Sequence, residues 1–459
     1  MTGFNRTNHP TTDRRSTSWT CAFLWLLALL QLALVPVLNG RDVELAPLFQ
    51  VDGLGLLFGT AWTLTLAVIS IPVARQSKRR KVDLLLVLIG VGLVVYAYAQ
   101  NILVLFAGWA LVGAGIVIIL EETEDFTNNG RAMRSWLDPA GALAIVAILT
   151  GLRAFTPPAG GVAEPWLPLA VGAATLAVLF TAARGFVKGR QFEGQEEGQR
   201  PNAPLVALYA LAAPCLLAKM LVAAPWHLVG SWLLVLVGML VVLGSAYLAY
   251  ASQQRDSTQS FASTLAGVSI VGFGIAANSP LAAVGATWVM LMGLPYIVVR
   301  GWRWAEVVTL LGMVPGLWMV SQAALDAGYE VVAALLLPAY VLVAALTIAN
   351  TLETARDWRL TGIVAVALSL LAIALPQVVV ETMLRPAVRT MAGGVGALTT
   401  LGVDWGVGML VRTLQGTAQA ALPATGVALA VFLAAVVLYW LKQLAGRATR
   451  QADGDAQAE

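Results

Sequence analysis

Lys219 stands inside a long apolar run, where a lipid-facing environment is expected rather than water. An ionisable group in hydrocarbon is expensive and persists where it carries a proton, pairs, or lets its charged end reach the headgroups. Lys219 lies four residues before the expected end of its span at Ala223, so snorkelling is the favoured reading and proton carriage the alternative. Arg184 and Lys188 close another apolar run, where anchoring at the inner leaflet is favoured over contact with a partner or a lipid phosphate. Asp256 ends a short polar turn, Gln253-Gln254-Arg255-Asp256, between two apolar runs. Glu306, Asp326 and Glu330 fall at expected helix ends, where capping or solvation is favoured over transport. Lys219, Arg184, Asp256 and Glu306 are therefore the candidate proton-path or interface residues.

Other chemistries find no support in the residue pattern. His9 sits in the polar N-terminal tail and His227 beside Trp226 at a helix start, and Cys21 and Cys215 are isolated in apolar runs. They make neither a metal site nor a disulfide framework. Gly272-x-Gly274 and Gly90-x-Gly92 lie within apolar runs and follow no strand, unlike nucleotide-binding loops. Gly312-x-x-x-Gly316 and Gly402-x-x-x-Gly406 permit close helix approach. No catalytic, cofactor-binding or metal-binding residue is assigned, and no cofactor is expected. A net charge of +3, with the basic residues in short loops, gives no footprint for nucleic acid.

The elements that must position these residues follow from composition. Of 459 residues, 59% are hydrophobic and 12% charged, against about 25% charged in soluble domains. Apolar runs of spanning length recur along the chain, and lipid leaves the backbone no partner outside a helix or closed barrel. The sequence predicts an all-α polytopic membrane protein. Spans are expected near 19–38, 53–74, 82–100, 102–120, 137–154, 166–187, 203–223, 226–250, 260–278, 279–299, 305–324, 329–350, 360–380 and 422–442, about 14 helices in all. With both termini cytoplasmic, Arg41, Arg153, Arg385, Arg389 and Arg412 fall outside and Lys219 within a span. The remaining 22 of the 28 basic residues then fall inside, as the positive-inside rule requires.

Residues 1–18 are expected to form a disordered cytoplasmic tail, 19–442 one membrane domain, and 443–459 a polar cytoplasmic tail. The first apolar run reads as an uncleaved anchor. The Gly-rich segment 381–421, with Asp404 and Arg412, is expected outside as an interfacial amphipathic segment. Tryptophans near span ends, among them Trp19, Trp136, Trp226 and Trp440, fit interfacial belts.

Several short motifs occur in a fixed order. Val51-Asp52-Gly53-Leu54 precedes Leu56-Leu57-Phe58. Asn101-Ile102-Leu103 precedes Leu105-Phe106 and Trp109. Pro204–Leu208 follows, then Arg255, Asp256, Ala262, Thr264, Ser269 and Gly272, and last Pro315-Gly316 with Gln322–Gly328. This series resembles the antiporter-like proton-translocating membrane subunits of respiratory complex I, of Mrp antiporters and of membrane-bound hydrogenases. The resemblance implies two inverted five-helix repeats, about 82–223 and 226–350, each with a broken helix. Pro214 and Pro315-Gly316 fall where such breaks would lie.

The resemblance also implies a buried Glu–Lys relay, but most of its charges have no counterpart. The matching positions are Ala110, Ala210, Leu216, Thr258 and about Val320, and Arg184 stands near the first lysine. The implied function is a membrane subunit of a complex I-type NADH:quinone oxidoreductase or hydrogenase assembly, associated with proton translocation or purely structural. Its partners would be other membrane subunits of a hetero-oligomeric complex, and any redox catalysis would belong to them. The alternative is the membrane subunit of a proton-driven ion transporter, for example for bicarbonate. The implied location is a bacterial-type cytoplasmic (inner) membrane.

Overall fold

In the computed structural model of the chain, the described residues are 14–38, 42–46, 48–77, 80–100, 102–123, 203–223, 231–251, 257–276, 278–298, 303–353, 376–394, 400–416 and 418–456. Helix α1 (Arg14–Leu38) leads into a hairpin of β1 (Val43–Ala46) and β2 (Phe49–Val51). Then come α2 (Gly53–Ser77), α3 (Arg80–Tyr98), α4 (Ile102–Thr123) and α5 (Ala203–Ala223). Next are α6 (Ser231–Ala251), α7 (Ser257–Ile275), α8 (Pro280–Val298), α9 (Arg303–Asp326) and α10 (Glu330–Glu353). Helix α11 (Pro376–Val379) continues through a π-helical turn, Val380–Leu384, into α12 (Arg385–Gly394). Helices α13 (Thr400–Leu414) and α14 (Ala418–Ala456) complete the described chain.

Eight of the described helices are long and apolar enough to cross a membrane, and α4, α5 and α7 carry shorter apolar stretches. The protein is a multi-pass helical membrane protein. The expected spans 137–154 and 166–187 lie outside the described residues, as does 360–380 except for its last five positions.

The sequence-based boundaries need three corrections. Helix α1 begins at Arg14, inside the tail expected to be disordered, and α14 runs through the expected C-terminal tail to Ala456. A helix already nucleated by its apolar segment extends into flanking polar residues at little cost. The expected span end at 380 falls inside continuous helix, which passes through the π turn Val380–Leu384. Within segment 381–421, α12 turns one face inward, while Leu401 and Trp405 of α13 are exposed. Val380, Leu384, Ala387, Val388 and Met391 are buried, and α12 packs against α2 and α5.

Helices α6 to α10 form a five-helix set in which each packs on the next and α10 returns to α6. Of the first expected repeat, α3, α4 and α5 are described. The prolines do not break their helices: α5 runs through Pro214 and α9 through Pro315. A proline withdraws the backbone donor from the carbonyl four residues before it, Ala210 for Pro214 and Leu311 for Pro315, and carbonyls close to these accept bonds from neighbouring helices. Tyr96 Oη donates to the Ala212 carbonyl at 2.9 Å, Tyr340 Oη to Leu310 at 2.8 Å, and Trp288 Nε1 to Gly312 at 2.9 Å. Side chains from adjacent helices thus supply what water would supply outside a membrane.

Small residues set the closest helix approach. A Cβ on Gly316 would lie 2.8 Å from the Gly285 carbonyl oxygen, and a Cβ on Gly285 would lie 2.6 Å from that of Gly316. Neither backbone can yield without moving α8 from α9. Gly408, by contrast, has open space around it. Gly316→Val is therefore expected to destabilise the protein by about 1–3 kcal/mol through overpacking, whereas Gly408→Ala stabilises slightly through helix propensity. Unfolding midpoints of both variants in the same detergent or nanodisc check the contrast.

Candidate functional site

Asp52 is the residue at which α2 begins. Its carbonyl accepts the Leu56 amide at 2.9 Å, and its carboxylate Oδ1 accepts the Gly55 amide in a short hydrogen bond. That is an N-cap, in which the side chain satisfies an amide left open by the first helical turn. The partial positive charge of the helix start compensates a negative side chain at the same place. Gly55 also lets α3 come close, since a Cβ there would stand 2.7 Å from the Ala97 carbonyl.

Lys219 approaches from α5. Its Nζ lies 3.2 Å from each oxygen of Asp52, and the two side chains are only 4% and 7% exposed. The amine therefore does not snorkel out of the protein; it ends in a buried ion pair. The pair closes a contact between residues 167 apart in sequence. Helix α12 covers this end, with a Cβ on Gly53 falling 2.6 Å from the backbone of Pro386. Arg385 of α12 bonds Glu381 at 2.8 Å and lies 3.5 Å from Asp404, while Arg389 holds Asp404 through two contacts of 2.8 Å. These bridges tie α12 to the π turn and to α13.

A second polar cluster adjoins the first. Tyr98 Oη donates to Gln31 Oε1 at 2.9 Å, and Gln31 Nε2 donates to Thr63 Oγ1 at 3.1 Å. Gly59 makes the room, since a Cβ there would sit 2.9 Å from the Tyr98 hydroxyl. This network joins α1, α2 and α3 without a formal charge.

The hairpin brings a second carboxylate to the ion pair. Val43 pairs with Val51 in the antiparallel register, so Asp42 and Asp52 flank the outermost pair at the open end of the hairpin. Asp42 is exposed as a residue. Its pKa is nevertheless raised above 3.8, first by partial burial of the carboxyl and second by the Asp52 charge, with Lys219 opposing. The hairpin is fastened to the end of α3 by the Gln100 amide, which donates to Leu48 at 3.0 Å, and by the Phe49–Ala99 bridge.

Of the residues selected from sequence, Arg184 and Asp256 lie outside the described residues. Glu306 is half-buried in the first turn of α9, a helix that packs chiefly on α7, α8 and α10. Asp326 accepts a hydrogen bond from Gln322 at 3.0 Å. Ala210, Leu216 and Val320 are buried in the apolar core. The hydroxyls of Ser245 and Thr264 meet at 2.7 Å between α6 and α7. In the sequence, Asp52 stands out only as part of a motif. The signal that points to it is the lone lysine in a span, which calls for an acid at the same depth.

No protein-family model matches the sequence, and no curated protein matches it. Solved structures do. The chain superimposes on a chain of the Mrp complex from Dietzia sp. DQ12-45-1b with a TM-score of 0.61 and 16% identity, covering 94% of this chain and 54% of that one. It thus spans about half the length of that neighbour. A chain of respiratory complex I from Thermus thermophilus with bound NADH gives 0.60 and 19% identity, covering 83% and 95%. A chain of the membrane-bound sulfane sulfur reductase, an archaeal respiratory membrane complex, gives 0.53 and 13%, covering 78% and 74%. At these identities the likeness establishes the fold alone, one shared with chains of these three membrane complexes.

Breaking the ion pair from either side leaves an uncompensated buried charge. Asp52→Asn or Lys219→Met is expected to cost about 3–5 kcal/mol, and the double variant less than the sum of the two. A double-mutant cycle of unfolding midpoints in nanodiscs measures the coupling. Additive losses would show that the two side chains do not depend on each other.

Proposed function

We propose that this chain is an antiporter-like membrane subunit of a hetero-oligomeric, complex I-type assembly associated with proton translocation. The reading is supported by the fold, shared with chains of three multi-subunit membrane complexes. The observation that carries it to a site is the buried Lys219–Asp52 pair, an ammonium and a carboxylate enclosed by α2, α5 and α12. Such a pair can change its protonation when its surroundings move, because the low dielectric makes each charge depend on the other.

The remainder of the expected relay is reduced in this chain. Ala210, Leu216 and Val320 hold no titratable proton where the resemblance implies charged groups. Side-chain proton transfer across those positions is therefore replaced by hydroxyls and water or is absent. The subunit acts as a weakly conducting or structural member, with its retained ion pair at the end where α2 begins. The chemistry of electron transfer would reside in partner subunits of a bacterial-type cytoplasmic membrane complex, with the termini of this chain on the cytoplasmic side.

Purification of the tagged, full-length chain from its native membrane in mild detergent, followed by mass spectrometry, tests this reading. Iron–sulfur or quinone-reducing subunits are the expected companions. A single large soluble partner without redox centres would replace the reading with that of a proton-driven ion transporter, for example of bicarbonate. Recovery of the chain alone would overturn the assignment to a complex.

A further inference from the structure

We propose that Asp42, Asp52 and Lys219 form one proton-exchange site, with Asp42 passing protons between solvent and the buried pair. The proposal rests on the proton-coupled reading above and assigns a place where its protons exchange with solvent. The hairpin register is its first support. Val43 opposite Val51 is the outermost pair of the ladder, so Asp42 and Asp52 are the residues that flank it at the open end of the hairpin, close enough for the Asp52 charge to act on Asp42. Charge is the second support. Two carboxylates and one ammonium carry a net charge of −1, and one added proton brings the group to neutrality. Like charges close to each other repel, so the site binds that proton more readily than a lone surface carboxylate would.

The third support is the gradient of exposure. Asp42 is exposed while Asp52 and Lys219 are buried. The three therefore run from water into the bundle instead of lying at one depth. The groups that face Asp42 are Asp52 at the start of α2 and Lys219 from α5, and Glu44 shares its strand. The guanidinium groups of α12 bond Glu381 and Asp404.

The transfer is balanced and needs no co-reactant. Asp42 takes a proton from solvent, then its O–H bond breaks as one forms on Asp52, directly or through one water. Asp52 becomes neutral, and Lys219 keeps its charge but loses the partner that held it. The ammonium is then released to a new arrangement, and a return of the proton to Asp42 restores the pair.

The test uses the full-length chain in nanodiscs, read by infrared titration of the carboxyl stretching band. A carboxyl that stays protonated above the ordinary aspartate range is expected, lost in Asp42→Asn and kept in Glu44→Gln. Its midpoint should move down in Asp52→Asn, which removes the opposing charge, and up in Lys219→Met, which removes the attractive one. Stability supplies a second readout. Because folding raises the proton affinity of Asp42, its contribution is fully present below about pH 3.8 and is lost as pH rises through the raised folded value. Asp42→Asn should abolish that decline and unfold at a higher temperature at neutral pH.

An unchanged titration in Asp42→Asn would overturn the proposal, and both Asp42→Asn and its control Glu44→Gln alter exposed residues. The titration does not require partner subunits, so it stands or falls separately from the identity of the complex. Within a purified complex in vesicles, Asp42→Asn should slow proton translocation at least several-fold. A normal titration with unaltered translocation would overturn the exchange role.

Discussion

A lysine amine buried in an apolar bundle must find a negative partner, and much of the architecture around α2 can be read from that demand. Lys219 enters from α5 and meets Asp52 at the start of α2, with both side chains almost wholly enclosed. The same carboxylate caps α2 by accepting the Gly55 amide. One side chain therefore begins a helix, compensates its exposed dipole and neutralises a distant lysine. Desolvating two charges offsets much of what their attraction supplies, so the pair is better understood as fixing an arrangement than as adding stability. It joins the capped start of α2 to α5.

The surrounding elements depend on close approach. Gly53 accepts the Pro386 backbone of α12, Gly55 accepts the end of α3, and Gly59 admits the Tyr98 hydroxyl and the Gln31 carbonyl. Three glycines on one helix thus let three other elements converge near Asp52. Without a hydrophobic driving force between helices in lipid, such packing and interhelical hydrogen bonds hold a bundle together. The proline-containing helices follow the same rule. Tyr96, Trp288 and Tyr340 bond carbonyls near Pro214 and Pro315, and both helices run on through their prolines.

This distribution of polarity has functional meaning. The described charge buried against a charged partner lies at one end of the bundle, between α2 and α5. Among α6 to α10 the described interior polarity includes hydroxyls and indoles bonded to each other or to carbonyls, such as Ser245 with Thr264. Asp42 is exposed while Asp52 and Lys219 are buried, so the proposed exchange site would open at one face. The fold is shared with chains of membrane complexes, and the described ion pair lies at a boundary of the bundle.

Much of this is legible in the chain itself. Apolar runs of spanning length, basic loops and ordered motifs specify a multi-pass helical protein of the observed fold, because lipid solvation acts on each segment separately. Lys219 stands out for the same reason, as a charge in an apolar run. Its partner does not. Asp52 lies 167 residues away and resembles part of a helix-start motif, and snorkelling is the local answer to a lysine near a span end. The span order does place both residues at the same membrane face, which is the available hint. Only the packing of α5 on α2, under α12, decided between snorkelling and pairing. The juxtaposition of Asp42 with Asp52 is likewise beyond composition, since it depends on the hairpin register. Segment-by-segment hydropathy determines which helices form; which charges meet depends on side chains from separate helices sharing one enclosed volume.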